Sequence, residues 1–353
     1  MSGARRCPRC GVPKEFSREN SWNPDGTITQ TRNPDHRVIF YEAEGMKRLL
    51  ANLESLLGVS VDRIAIEGKR KSTYHYLEGM FSGFKLAVIK AFLRRKVYET
   101  ISARGALLGY GHYELVDFKA GEYIKVFGRN IYSETLFCGD LAAVFNRVEG
   151  LPAQLHIEEK DGGHLITVTP GPEVEEEIAS RLVRVVIPRK PGKISYDLCP
   201  ACGIPEDIAR FRWDLEAGTI TDPSTGRHMA VLGAEGIDSV FRELEAELGE
   251  DLGHHIVEAQ RQYVADILHR REVEQSPDYL TRQIALRGMG NLVEFNLTRK
   301  GIRAVVENAI PPLLVAGIMQ GIYDILTGMS SECAYQREKD GTLRVEISAS
   351  RAP

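Results

Sequence analysis

The chain has 353 residues, 43% of them apolar and 27% charged, which is length for about two domains of roughly 150 residues each. That apolar content supports a buried core and excludes a disordered chain. The 45 basic and 49 acidic residues leave a net charge of −4, so general nucleic-acid binding, which draws on a basic surface, is not expected.

The chain opens on a polar stretch, residues 1–10, unlike a secretory leader. Within it, Cys7-Pro-Arg-Cys10-Gly11 forms a thiol knuckle. Gly26-Thr-Ile-Thr29 and residues 37–41 have turn and strand character. From 43 to 57, Met46, Leu49, Leu50, Leu53, Leu56 and Leu57 recur at helical spacing and predict an amphipathic helix. Helices are also predicted over 64–80 and 84–101, one or two strands over 106–118, and an apolar-striped helix over 133–148. A hairpin with strands 153–158 and 164–169 closes this part, turning at Lys160-Asp-Gly-Gly163. Residues 171–198 form a joining segment. It holds the acidic run Glu175-Glu-Glu177, read as a solvated face or a helix start, a strand-like stretch over 182–188, and the loop Arg189-Lys-Pro-Gly-Lys193. The most apolar run, 310–326, is too short for a membrane span and carries Gln320 and Asp324. A soluble, cytoplasmic protein is expected.

The same pattern then begins again. Cys7-Pro-Arg-Cys-Gly-Val-Pro13 returns as Cys199-Pro-Ala-Cys-Gly-Ile-Pro205, and Gly26-Thr-Ile-Thr29 as Gly218-Thr-Ile-Thr221, both at an offset of 192. Glu44-Gly45 answers Glu235-Gly236 at 191. Gly109-Tyr-Gly111 answers Gly288-Met-Gly290 at 179, and Asn130 answers Asn308 at 178. Lys160-Asp-Gly162 answers Lys339-Asp-Gly341. Chance does not give this many ordered matches. The expected fold is α+β: two tandem homologous domains, 1–170 and 199–353, with antiparallel sheets and packed helices, related by a pseudo-two-fold. Residues 171–198 are the linker.

A Cys-x-x-Cys-Gly turn aims two thiolates at one centre, half of a tetrahedral site. Two such turns, one in each repeat, predict a single site closed by Cys7, Cys10, Cys199 and Cys202. His36 and His228 are the distant alternatives that would close two separate sites. Four thiolates leave zinc no open position, so the ion expected is a structural zinc. Iron in the same geometry is possible. Cys138 and Cys333 read as small core residues.

The second half of each repeat carries a further pattern. It runs Asn130-Ile-Tyr-Ser-Glu-Thr-Leu-Phe-Cys-Gly139-Asp-Leu-Ala-Ala143, then Gly150 and a hairpin. Its counterpart runs from Asn308 through Gly317-Ile-Met-Gln-Gly321 to Gly328 and a hairpin. A helix with small residues four apart, a Gly at its end and a closing hairpin resembles the 4-vinyl-reductase domain family of predicted hydrocarbon-binding proteins. The resemblance covers about the last 70 residues of each repeat. It implies an α+β domain with a buried apolar cavity for a small or fatty ligand. From the residues alone, small side chains at i and i+4 admit a close neighbour, either another backbone or a ligand. Gly139, Ala143, Gly317 and Gly321 are the candidate ligand contacts.

Tyr110, His112 and Glu114 share one face of the predicted strand and are the candidate catalytic groups, set against a reading as a hydrogen-bonded, half-buried face. The second repeat has Met289, Asn291 and Val293 at these positions. The basic clusters Lys69-Arg70-Lys71 and Arg94-Arg95-Lys96 read as solvated helix faces, with an anionic head group as the alternative partner. The expected function is binding or sensing of a small apolar or amphipathic molecule. An enzyme or accessory factor acting on an aromatic, acyl or tetrapyrrole-like substrate, or a scaffold for protein partners, are the rival readings.

Overall fold

The structure, a computed structural model, describes residues 5–172, 189–249, 251–274 and 278–350. The acidic run 175–177 and the strand expected over 182–188 lie outside these residues. Among the described residues the fold is α+β with three antiparallel sheets.

In the N-terminal half, α1 (Lys14–Glu19) leads into β1 (Asn20–Trp22), β2 (Ile28–Gln30) and β3 (Asn33–Glu42). The helices α2 (Ala43–Leu57), α3 (Asp62–Met80) and α4 (Gly83–Val88) follow. A π-helical turn over Ile89–Leu93 joins α4 to α5 (Arg94–Leu107). Then come β4 (His112–Lys119), β5 (Tyr123–Arg129), α6 (Glu134–Glu149), β6 (Ala153–Lys160) and β7 (Gly163–Pro170). The C-terminal half starts with α7 (Glu206–Ala209), β8 (Arg212–Asp214), β9 (Thr219–Thr221) and β10 (His228–Gly233). Its helices are α8 (Ala234–Leu248), α9 (Leu252–Ile267), α10 (Arg270–Val273) and α11 (Tyr279–Leu286). Then follow β11 (Asn291–Thr298), β12 (Gly301–Glu307), α12 (Pro312–Thr327), β13 (Ser331–Arg337) and β14 (Leu343–Ala349).

Two of the sequence expectations need correction. The segment 106–118 is not all strand: α5 runs through Leu107, and β4 starts only at His112. The helix expected over 84–101 is three pieces, because the π turn shifts the register between α4 and α5. The short β1 and the longer β5 went unread, although in β5 Ile124 and Val126 alternate toward the core with exposed or half-buried neighbours.

The central sheet has the order β1-β2-β3-β10-β9-β8, so it draws three strands from each half of the chain. Its middle pair is β3 with β10, and Phe40 lies opposite Val231, 191 positions later in sequence. The outer sheets, β4-β5-β7-β6 and β11-β12-β14-β13, each belong to one half. Helices cross between halves as well. α3 packs on α6 and on α8, while α9 packs on α12 and on α2. The predicted apolar face of α2 meets α9: Met46, Leu49, Leu50 and Leu53 are buried, and Asn52 Nδ2 donates to Ala259 O at 3.1 Å. Each fully buried Leu or Met of that kind stabilises by about 1.5–3 kcal/mol relative to leaving it exposed.

The repeated glycine motifs serve these crossings. The Gly290 N–H donates to Gly26 O at 3.1 Å, and the Gly111 N–H to Gly218 O at 3.0 Å. Gly26 and Gly218 stand at φ +77° and +68°, with no room for a Cβ against the facing backbone. Asn130 and Asn308, both left-handed, donate to the carbonyls of Ala217 and Asp25 in the opposite half.

Candidate metal centre and ligand cavity

The two knuckles are built alike. The Cys7 N–H donates to Val12 O at 2.8 Å and the Gly11 N–H to Cys7 O at 3.0 Å. The Cys199 N–H donates to Ile204 O at 2.8 Å and the Gly203 N–H to Cys199 O at 2.8 Å. Gly11 and Gly203 take φ +76° and +74° to close the turns. A satellite core holds the turns together: Phe16 packs on Trp213 at 5.0 Å between ring centroids, and Arg6 donates to Trp213 O at 2.9 Å.

The result is a cluster in which the four sulfurs lie within 4.8 Å of one another. Cys7 Sγ is 3.9 Å from Cys199 Sγ, and Cys10 Sγ is 3.4 Å from Cys202 Sγ. A tetrahedral ion with metal–sulfur bonds of about 2.3 Å spaces its sulfurs about 3.8 Å apart. Cys7, Cys10, Cys199 and Cys202 can therefore hold a metal ion. The Cys10 and Arg9 backbone amides draw the Cys7 thiol down to about 6, whereas burial pushes the Cys10 and Cys202 thiols up. Ionising all four needs a counter-charge, which a bound cation supplies. Neither histidine takes part: His36 Nδ1 lies 3.6 Å from Glu235 Oε2, and His228 opens β10.

A cavity of about 150 Å³ lies between α3, α5 and α6 and the central sheet, room for a benzene-sized molecule. Leu77, Met80, Ile101, Phe137 and Leu141 make its apolar wall. Its polar lining includes Lys69, Thr73, Tyr76, Arg104, Tyr110 and Asp140, with Glu19, Asn20, Gln30 and His36 toward one side. Asp140 is the hub: it accepts from Thr73 Oγ1 at 2.6 Å and Tyr132 OH at 2.8 Å, with Lys69 Nζ at 3.2 Å. The Lys69 side chain is 6% exposed. Tyr110 stacks on Tyr132 with ring centroids 4.5 Å apart. Burial, then the charge of Asp140, push both phenols well above their ordinary value. They stay neutral at working pH, as hydrogen-bonding groups rather than bases or nucleophiles. At the other side, Arg104 reaches both Tyr76 OH at 3.3 Å and Glu19 Oε2 at 3.1 Å.

No protein-family model, curated protein or solved structure matches the chain.

The corresponding place in the C-terminal half is nearly closed. Arg70 and Arg261, 191 positions apart, make matching contacts. Arg70 bonds Glu67 and, at 2.9 Å, Asn146, while Arg261 bonds Glu258 and, at 2.8 Å, Asp324. In that frame Gln260, Tyr263, Val264, Ile267 and Ile318 stand where Lys69, Ser72, Thr73, Tyr76 and Asp140 stand. Glu42 and Arg287, paired through two bonds of 2.7 Å, stand where Gly233 and Leu108 leave space. About 50 Å³ is left.

The residues expected to touch ligand fall elsewhere. A Cβ at Gly139 would lie 2.6 Å from Ile66 O on α3, and one at Gly317 2.6 Å from Val257 O on α9. A Cβ at Gly321 would meet Val264 Cγ1 at 2.6 Å. Ala143 is fully buried. The small faces are thus filled by neighbouring helices, and Phe137, Asp140, Leu141 and Val144 line the cavity instead. Gly317→Leu is accordingly expected to overpack this crossing and cost at least about 1–3 kcal/mol, with or without ligand. A thermal melt checks it, and an unchanged midpoint would contradict the close-approach role.

Tyr110, His112 and Glu114 are not brought together. Tyr110 lines the cavity, His112 faces an open surface depression beside Arg129 and Asp214, and Glu114 is exposed. The first basic cluster also needs correction. Lys69 and Lys71 are buried, and Lys71 Nζ pairs with Glu243 Oε2 on α8 at 2.9 Å. They sit on helix faces that α6 and α8 cover. Tyr76 and Asp140 were missed as candidate site residues, and Lys69 was offered only as an alternative contact for an anionic head group. The signal was Asp140, an acid inside an otherwise apolar helix stripe.

Proposed function

We propose that the chain is a duplicated small-molecule-binding protein, clasped by one structural zinc and carrying its ligand in the N-terminal half. The ligand is a small, mainly apolar molecule with one polar group, held and not turned over. The observation behind this reading is the asymmetry of the two halves: one keeps a 150 Å³ space between an apolar wall and the Lys69–Asp140 pair, and the other fills the matching space, in part with its own pair of Glu42 and Arg287. A buried ion pair is not by itself the mark of a ligand, since Lys71 with Glu243 and Glu42 with Arg287 pack between elements of the fold. Lys69 and Asp140 beside an apolar wall instead suit a ligand that needs orientation. The hydrocarbon-binding character implied by the resemblance to the 4-vinyl-reductase domain points the same way. Zinc is favoured by the four-thiolate donor set, and visible colour from bound iron would replace it without changing the geometry.

Ser72→Tyr, which copies Tyr263, tests the assignment. Native mass spectrometry of the purified protein and thermal shifts with a panel of phenols and short fatty acids are the readouts. At least one compound is expected to raise the wild-type midpoint. The variant is expected to lose that shift and keep its metal. A variant that still gains the full shift rules the cavity out as the binding site.

A further inference from the structure

The N-terminal half carries about a dozen residues that the C-terminal half lacks. The offset between matching positions falls from 191 at Leu77 to 179 at Ile101, so the excess lies between the end of α3 and the body of α5. The structure places α4 and the π turn there. α4 buries none of its residues, and Ile89 is the one buried residue of the π turn. Ile89 anchors the segment in the core, and core packing leaves its remaining exposed apolar residues unexplained.

Phe84 is 86% exposed and Phe92 84% exposed, with Leu93 beside them at 44%. Ala87 and Ala91 lie between the two rings and are also exposed. Around this strip stand Lys85, Lys90, Arg94, Arg95 and Lys96, and residues 82–96 contain no acid. Arg94 is tied to Glu149. The side chains of Arg95 and Lys96 project outward, 67% and 74% exposed, and share Glu99. A run of five positive charges stands out in a chain whose net charge is −4.

We propose that this insertion is a docking surface for an anionic lipid bilayer. Exposed aromatic rings on a short helical segment, bordered by Lys and Arg, match a surface-lying element. The rings enter the acyl boundary while the cations meet the phosphate and carboxylate head groups. The charge argues for lipid over a second copy of this chain, because two such faces would bring the exposed Lys85, Arg95 and Lys96 of each copy together. The inference stands apart from the ligand-cavity reading, although α3 and α5, which flank the insertion, also line that cavity.

The test uses the full chain with vesicles of phosphatidylcholine, with and without added phosphatidylserine. Wild type is expected to sediment with the anionic vesicles, to release as salt is raised, and to bind phosphatidylcholine vesicles poorly. Phe84→Ser with Phe92→Ser is expected to weaken binding by at least about tenfold while the melting midpoint and metal content hold, since both rings are exposed. Lys85→Glu with Lys96→Glu is expected to remove the preference for phosphatidylserine. No sedimentation of wild type, equal binding to both vesicles, or full binding by the double Ser variant overturns the proposal. So does light scattering that shows a dimer dissolved by the double Ser variant, which would assign the face to a second copy.

Discussion

Cys199→Ser is expected to lower stability by on the order of 5 kcal/mol. Structural zinc contributes roughly 10–16 kcal/mol of apparent binding free energy in small domains, and losing one of four thiolates forfeits a large part of that. The effect should reach both halves of the chain, because each half supplies two of the four sulfurs. A site assembled from both halves forms only when both are folded and docked. Its binding energy is then folding energy for the whole chain. Freshly reduced protein is expected to hold one metal per chain by elemental analysis, and chelation is expected to lower the melting midpoint as Cys199→Ser does. Two metals per chain, none, or a midpoint indifferent to chelator would defeat the shared site. The β3–β10 pairing runs through backbone and not through the thiolates. The variant should therefore loosen the knuckles, Phe16 and Trp213 before the halves part, which limited proteolysis near residues 5–13 and 198–205 can follow.

The elements best read from sequence were those whose pattern is local. The stripe of α2, the knuckle turns and the closing hairpins rest on spacings within a few residues. What escaped was pairing between distant segments. Nothing in Gly26-Thr-Ile-Thr29 or Gly109-Tyr-Gly111 says that each will bond to the other's counterpart in the opposite half. A glycine needed for a positive φ and one needed for close approach look alike in a string. The same limit explains the small helix faces. Gly139 and Gly317 were correctly read as sites of close approach, but periodicity alone does not tell a helix from a ligand. Lys69 and Lys71 were read as solvated because charge usually is. Their burial depends on Asp140 and Glu243 arriving from α6 and α8, a fact of tertiary packing. The cysteines were the exception: a ligand set must converge, so its spacing foretold a long-range contact.

The last large effect belongs to the pair that fills the second half. Glu42→Gln is expected to cost about 2–3 kcal/mol at neutral pH, because it leaves the half-buried Arg287 guanidinium without its counter-charge. Glu42 is 5% exposed and ends β3, and both of its oxygens accept from Arg287. Burial alone would raise its carboxyl. The charge and two hydrogen bonds of Arg287 outweigh burial and hold it below the ordinary range. The sign of the pH dependence follows. A carboxyl depressed in the folded state contributes its full stability above its unfolded value of about 4.3, and loses it as pH falls through the folded value. Tyr41, Tyr263 and Tyr279 share the pocket but are pushed up by burial, so they stay neutral through that range. Wild type should therefore show an acid limb below about pH 4 that Glu42→Gln lacks. Denaturant titrations from pH 7 to 3 check both points. Glu42→Met with Arg287→Met is expected to recover most of the loss, since an apolar pair of similar volume leaves no charge unmatched. If Glu42→Gln alone is neutral at pH 7, the pair is not what closes the second cavity, and Tyr41 and Tyr263 must fill it unaided.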